Sequence, residues 1–145
     1  MKIRQAQQGD IPALSSMALR LWSGCARDEV EQDIAERFGD GEAFFLAEAD
    51  GAPVGFAEVS LRYDYVEGSE TSPVGYLEGV FVEEGYRRRG VARALAASCE
   101  QWAAAEGCRE FASDCRIENE TSRLFHTAAG FTEASRIICF IKTIS

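Results

Sequence analysis

The chain has 145 residues, 15 Lys plus Arg against 24 Asp plus Glu, a formal net charge of -9 and 46% hydrophobic residues. That length makes one domain, residues 1–145, able to bury a real core without disulfides or a structural metal. No apolar run approaches the roughly 20 residues of a membrane span, and the acidic balance repels a polyanion. Neither a membrane nor a nucleic-acid partner is therefore expected; the acidity suits cationic ligands, and solubility alone is the stronger explanation of it on charge evidence only.

Met1-Lys2-Ile3-Arg4-Gln5-Ala6 alternates apolar and polar residues and reads as a first strand, with no apolar stretch behind it to act as a signal peptide; a cytoplasmic location is expected. Asp10 before Ile11-Pro12 predicts a helix start with Asp10 as the cap, and Leu14, Met17, Ala18 and Leu21 carry the helix to about Trp22. Residues 28–38 predict a second, acidic helix with Val30, Ile34 and Phe38 on one face. Two strand-like runs, residues 43–49 and 54–62, flank Asp50-Gly51 and predict a hairpin.

A polar loop over residues 63–73 is long enough to be functional. Residues 75–82 predict another strand, interrupted by Gly79, where a bulge or a close backbone approach is expected. After a basic turn, an alanine-rich helix runs from Val91 to about Glu106 and ends at Gly107. Residues 109–114 predict a short strand, 119–129 a helix, and 131–141 a last long strand. The mixture of hairpins and crossovers implies an α/β domain with a mixed sheet. The five cysteines (Cys25, Cys99, Cys108, Cys115, Cys139) form no Cys-x-x-Cys pair, and the sole His126 has no neighbour at a metal-ligand spacing. Reduced thiols and no metal are expected.

The most specific chemical feature is Arg87-Arg88-Arg89-Gly90-Val91-Ala92, set between a strand and a helix. A helix N-terminus offers free N–H groups and a positive dipole end, glycine admits an anion to the backbone, and arginine adds charge. A phosphate or pyrophosphate site is favoured over an ordinary basic loop. Neither a P-loop nor a dinucleotide fingerprint is present.

The order of elements, Arg87-x-x-Gly90-x-Ala92 after Val80-Phe81-Val82, the helix after Asn119 and the Gly130-Phe131 pair resemble the GCN5-related N-acetyltransferases. Leu21-Trp22, Asp64-Tyr65-Val66, Ser72-Pro73-Val74, Leu77-Glu78-Gly79, Gly107-Cys108-Arg109-Glu110 and Ala112-Ser113-Asp114, in that order, narrow the resemblance to small chromosomal-type aminoglycoside 6'-N-acetyltransferases. It covers essentially the whole chain.

This resemblance implies a mostly antiparallel central sheet flanked by helices, and acetyl transfer from acetyl-CoA to a primary amine by direct attack in a ternary complex. It also implies a homodimer. Backbone groups around Val80, Phe81 and Val82 would hold the pantetheine and polarise the thioester, while Arg88, Arg89, Gly90, Val91, Ala92 and Arg93 match the pyrophosphate turn. Asn119 matches a cofactor contact, and a plain helix cap explains it equally well. Trp22, Tyr65, Glu78 and Asp114 match substrate positions, with Glu78 or Asp114 as acceptor of the substrate's proton. Cys25 and Ser135 also fall at substrate positions but depart from the family's His and Glu. His126 lies where many of these enzymes place a proton donor to the leaving thiolate, and simple packing near the cofactor is the stronger reading. Other cationic amines as substrate, or a non-catalytic acyl-CoA-binding regulator, remain as alternatives.

Overall fold

The computed structural model describes residues 1–145. In chain order it has β1 (Lys2–Gln5), a 3-10 turn (Gln8–Asp10), α1 (Ile11–Leu21), α2 (Arg27–Arg37), β2 (Glu42–Ala49), β3 (Ala52–Arg62) and β4 (Val74–Val82). A second 3-10 turn (Glu84–Tyr86), α3 (Val91–Ala105), β5 (Phe111–Ala112) and α4 (Glu120–Ala128) follow. The five strands form one sheet in the order β1-β2-β3-β4-β5, antiparallel through β4 and parallel between β4 and β5. No helix is long and apolar enough to cross a membrane.

Strand residues of alternate parity feed two cores. Phe44, Leu46 and Phe56 pack with Leu14, Met17 and Ile34 under α1 and α2, while Ala47, Ala57 and Val59 pack with Leu95 and Cys99 of α3 on the other face. A sheet buried on both faces explains why β2 and β3 read as near-continuous apolar runs. Burying each large side chain contributes about 1.5–3 kcal/mol. At the hairpin turn Asp50 and Gly51 have φ of 52° and 79°, the left-handed pair that a two-residue turn matched to strand twist demands.

The register between β3 and β4 slips once, in the region that Gly79 marked. Glu58 faces Gly79 and Val59 faces Leu77, so Glu78 is the extra residue of a bulge. A β-carbon on Gly79 would sit 2.9 Å from Cζ2 of Trp22, so the same glycine also lets the indole lie against the strand.

Two expectations are corrected. Asp10 does not cap α1; its carboxylate is held by Arg4 at 2.8 Å and accepts from the Gln7 N–H at 2.8 Å, closing the preceding 3-10 turn. Residues 131–141 form no strand within the chain, and residues 132–145 make no backbone hydrogen bond. Strand propensity becomes a strand only beside a partner, and beyond Gly130-Phe131 the chain leaves its own sheet. Five large apolar side chains are exposed there: Ile137, Ile138, Phe140, Ile141 and Ile144.

Candidate active site

The site is built around β4. β5 pairs with it only at Gly75 and Tyr76, so from Leu77 onward its outer edge has no strand partner and opens as a cleft. A strand edge presents alternate N–H and C=O groups, and Val80, Phe81 and Val82 lie along this one. Their apolar side chains turn largely inward, with Phe81 and Val82 buried, so what the segment offers a ligand is backbone.

Beyond β4 the chain makes the arginine turn. Arg88 has φ 65° and Gly90 has φ 80°, two left-handed residues that reverse the chain and start α3. Arg87 donates to the Val82 carbonyl at 2.8 Å, tying the turn to the strand end, and the Arg89 guanidinium lies 5.4 Å from the Tyr86 ring centroid. Arg87, Arg88, Arg89 and Arg93 take part in none of the chain's ion pairs. Four cations without carboxylate partners at a helix N-terminus, in a chain of net charge -9, make a local field suited to a phosphate-bearing ligand. Val91 is buried and contributes its backbone only, whereas Ala92 is half-buried and Arg93 exposed. An open cleft of about 380 Å³ lies along α3, lined by Gly90, Arg93, Ala94, Ala97 and Glu100 and by Ala129 and Phe131.

The middle of β4 carries a second polar cluster, with two carboxylates and one guanidinium. Strand parity puts Ser60 and Arg62 of β3 and Tyr76 and Glu78 of β4 on one face. Glu78 accepts from Ser60 Oγ at 2.6 Å and from Arg62 at 2.8 and 3.1 Å. The Arg62 guanidinium also lies 3.4 Å from the centroid of the Tyr76 ring, and the Tyr76 hydroxyl donates to Asp114 Oδ2. Burial, reinforced by that bond to an anion, holds the Tyr76 phenol well above its usual range, so it remains a donor. Glu78 and Asp114, 36 residues apart in sequence, are thus joined through Tyr76 and Arg62. Trp22, at the end of α1, packs edge-on against Phe56 at 6.0 Å between centroids and covers Gly79.

The other expected site residues are less closely drawn in. Tyr65 is 76% exposed on the loop between β3 and β4. Cys25 is exposed in the turn between α1 and α2. Ser135 Oγ donates to Glu67 of the Tyr65 loop at 2.9 Å. Asn119 Oδ1 accepts from the Ser122 N–H at 3.1 Å, an ordinary helix cap. His126 Nδ1 donates to the Ser122 carbonyl at 2.7 Å, while Nε2 lies 2.8 Å from Ser113 Oγ, itself 3.1 Å from the Leu77 carbonyl. The imidazole therefore reaches the open edge of β4 through one hydroxyl. Ser60, Arg62, Tyr76 and Ser113 were not singled out in the sequence; counting parity from Glu78 reaches only Tyr76, and the two β3 residues depend on the register across the bulge.

The sequence pattern of the Acetyltransferase (GNAT) family matches residues 11–131. The chain belongs to that family. An aminoglycoside N(6')-acetyltransferase type 1 from Stenotrophomonas maltophilia is 44% identical over 140 residues, which are 95% of this chain and 90% of the relative. Another, from Salmonella typhimurium, is 42% identical over 98% of this chain and 99% of its own. Among solved structures, AAC(6')-Iy in complex with the bisubstrate analog CoA-S-monomethyl-acetylneamine superposes with a TM-score of 0.94 at 41% identity, covering 99% of this chain and 98% of that one. AAC(6')-IG from Acinetobacter haemolyticus gives 0.93 at 34% identity with both chains fully covered.

Proposed function

We propose that the chain is an aminoglycoside 6'-N-acetyltransferase, moving the acetyl group of acetyl-CoA directly to the 6'-amine of a 2-deoxystreptamine antibiotic and so conferring resistance. The observation that carries this is the division of charge along one strand. Glu78 in the middle of β4 and Asp114 just beyond β5 are joined through Arg62 and Tyr76, and four arginines without acidic partners follow the C-terminal end of β4. A polycationic amine and a phosphorylated thioester are the pair of ligands such a division suits. The relatives named above carry this activity in their names.

Acetyl-CoA supplies an activated carbonyl and a good leaving group. For it, Arg88, Arg89 and Arg93 with the N–H groups of Gly90, Val91 and Ala92 hold the phosphates, and Asn119 adds a contact. The unpaired edge from Val80 to Val82 gives N–H groups to the thioester oxygen as negative charge develops there. Trp22 and Tyr65 present aromatic faces to sugar rings, with Cys25 and Ser135 at the rim. Asp114 keeps Oδ1 free of protein donors, whereas Glu78 has both oxygens engaged. Asp114, directly or through water, is thus the better acceptor for the ammonium proton, and Glu78 orients the amine. The CoA thiolate is a good leaving group and takes its proton from solvent, while His126 packs behind the strand edge through Ser113.

The enzyme works in the cytoplasm as a homodimer. Support for the dimer is the C-terminal arm, residues 132–145, whose apolar side chains and backbone groups have no partner in their own chain. A second copy provides both, and the arm begins against the Tyr65 loop, where Ser135 meets Glu67. Thiol release measured with a panel of aminoglycosides, polyamines and peptides tests the function. Kanamycin- or tobramycin-like compounds should be acetylated at the 6'-amine and a 6'-hydroxyl analogue should not. Turnover with polyamines or peptides alone would refute the antibiotic substrate.

A further inference from the structure

Glu78 meets its ligand already paired. Three of its four lone-pair directions are taken by Ser60 Oγ and by Nε and Nη2 of Arg62, leaving one for a substrate N–H. Arg62 is fixed from two sides, by that fork and by the Tyr76 ring beneath it. The charged and titratable groups acting on it are Glu78 and Tyr76 of β4 and Asp114 after β5. Two carboxylates and one guanidinium therefore share the pocket, a local charge of one minus where the acids alone would give two.

We propose that Arg62 is a positioning residue that sets the protonation state of the reacting amine; the proposal rests on the acetyltransferase reading above. An ammonium opposite two bare carboxylates is stabilised in its charged form, and its proton becomes harder to remove. Acyl transfer needs the free lone pair, so acids strong enough to capture the substrate would also hold it unreactive. Arg62 separates the two demands. The protein's overall negative charge still attracts the polycation, while at the reacting nitrogen Glu78 acts as a neutralised hydrogen-bond acceptor and Asp114 as the one unneutralised carboxylate. The guanidinium is a permanent cation, so this bias persists across the working pH range.

The test is the pH dependence of kcat and KM for wild type, Arg62→Gln and Arg62→Lys in the full-length protein, with a 6'-amino aminoglycoside and saturating acetyl-CoA. In Arg62→Gln the acidic limb of kcat should move up by about one pH unit, with a roughly tenfold loss at neutral pH that recovers above pH 9 and an unchanged or lower KM. Arg62→Lys should keep the wild-type limb, and a 6'-amine of intrinsically lower pKa should lose less to Arg62→Gln. An unmoved limb with kcat and KM impaired equally at every pH, or equal losses for amines of different basicity, would overturn the proposal. A wild type that acetylates some other amine but no aminoglycoside would refute the substrate reading alone, and the same profiles with that amine would then decide the role of Arg62.

Discussion

Glu58→Gln should make the protein's stability less dependent on pH. Glu58 is 1% exposed on β3, inside the sheet face under α2. Arg37 Nη1 donates to both its oxygens at 3.0 Å, and Glu42 stands beside it with Oε2 buried and unpartnered. Burial is the largest influence, Glu42 adds to it and Arg37 opposes both; together they push the Glu58 carboxyl up to about 8. An unfolded glutamate titrates near 4.3, so the folded chain binds this proton more tightly. Stability from the neutral carboxyl is then full below the unfolded value, falls as pH rises toward 8, and is flat above it. At about 1.4 kcal/mol per pH unit the loss between the two values has a ceiling of ~5 kcal/mol, with the opposing Arg37 contact already included in the folded value. Glutamine keeps an acceptor for Arg37 and removes the titration. Urea unfolding of both proteins from pH 5 to 9 should show wild type losing stability where the variant stays nearly level. Parallel curves would refute a proton held at Glu58.

Arg89→Ala should weaken acetyl-CoA binding by ~1–3 kcal/mol, the range for a charged hydrogen bond to phosphate, with the thermal midpoint unchanged; titration calorimetry and a melt read the two. Gly79→Ala puts a methyl 2.9 Å from Trp22 Cζ2, so the indole must move: aminoglycoside KM should rise severalfold, and stability should fall by ~1–3 kcal/mol, the usual cost of overpacking. Ile138→Asp with Ile141→Asp should convert a dimer to a monomer in sedimentation velocity while leaving the helical circular dichroism signal intact, because both side chains are exposed in the single chain.

The helices, the β2–β3 hairpin and the bulge were legible because their signals are local: helical spacing in α1 and α3, Asp50-Gly51 in the hairpin, and Gly79 at the bulge. The arginine turn was legible for the same reason, being one contiguous segment whose charge and glycine share a single role. The polar network was not. Glu78 and Asp114 were singled out by resemblance, but the contacts joining them run through Tyr76 and Arg62, set by a register that slips by one residue at the bulge. Asp10 shows the converse. Its position fitted a helix cap, and Arg4, six residues away and folded back against it, took the carboxylate instead. The arm failed as a strand because no strand of its own chain lies beside it to pair with.

The charge division along β4 also couples the two ligands. Before either binds, the arginine turn opposes a polycation arriving nearby, and the acidic pocket opposes a polyanion. Occupancy of one half cancels the field that disfavours the other, so each ligand should raise the affinity of its partner by one common factor, as linkage requires. That factor should shrink as added salt screens the intervening distance. A bare enzyme would then bind the antibiotic weakly, and the cell's standing pool of CoA thioesters would act as its primer, holding the drug site in its tighter state before any drug arrives.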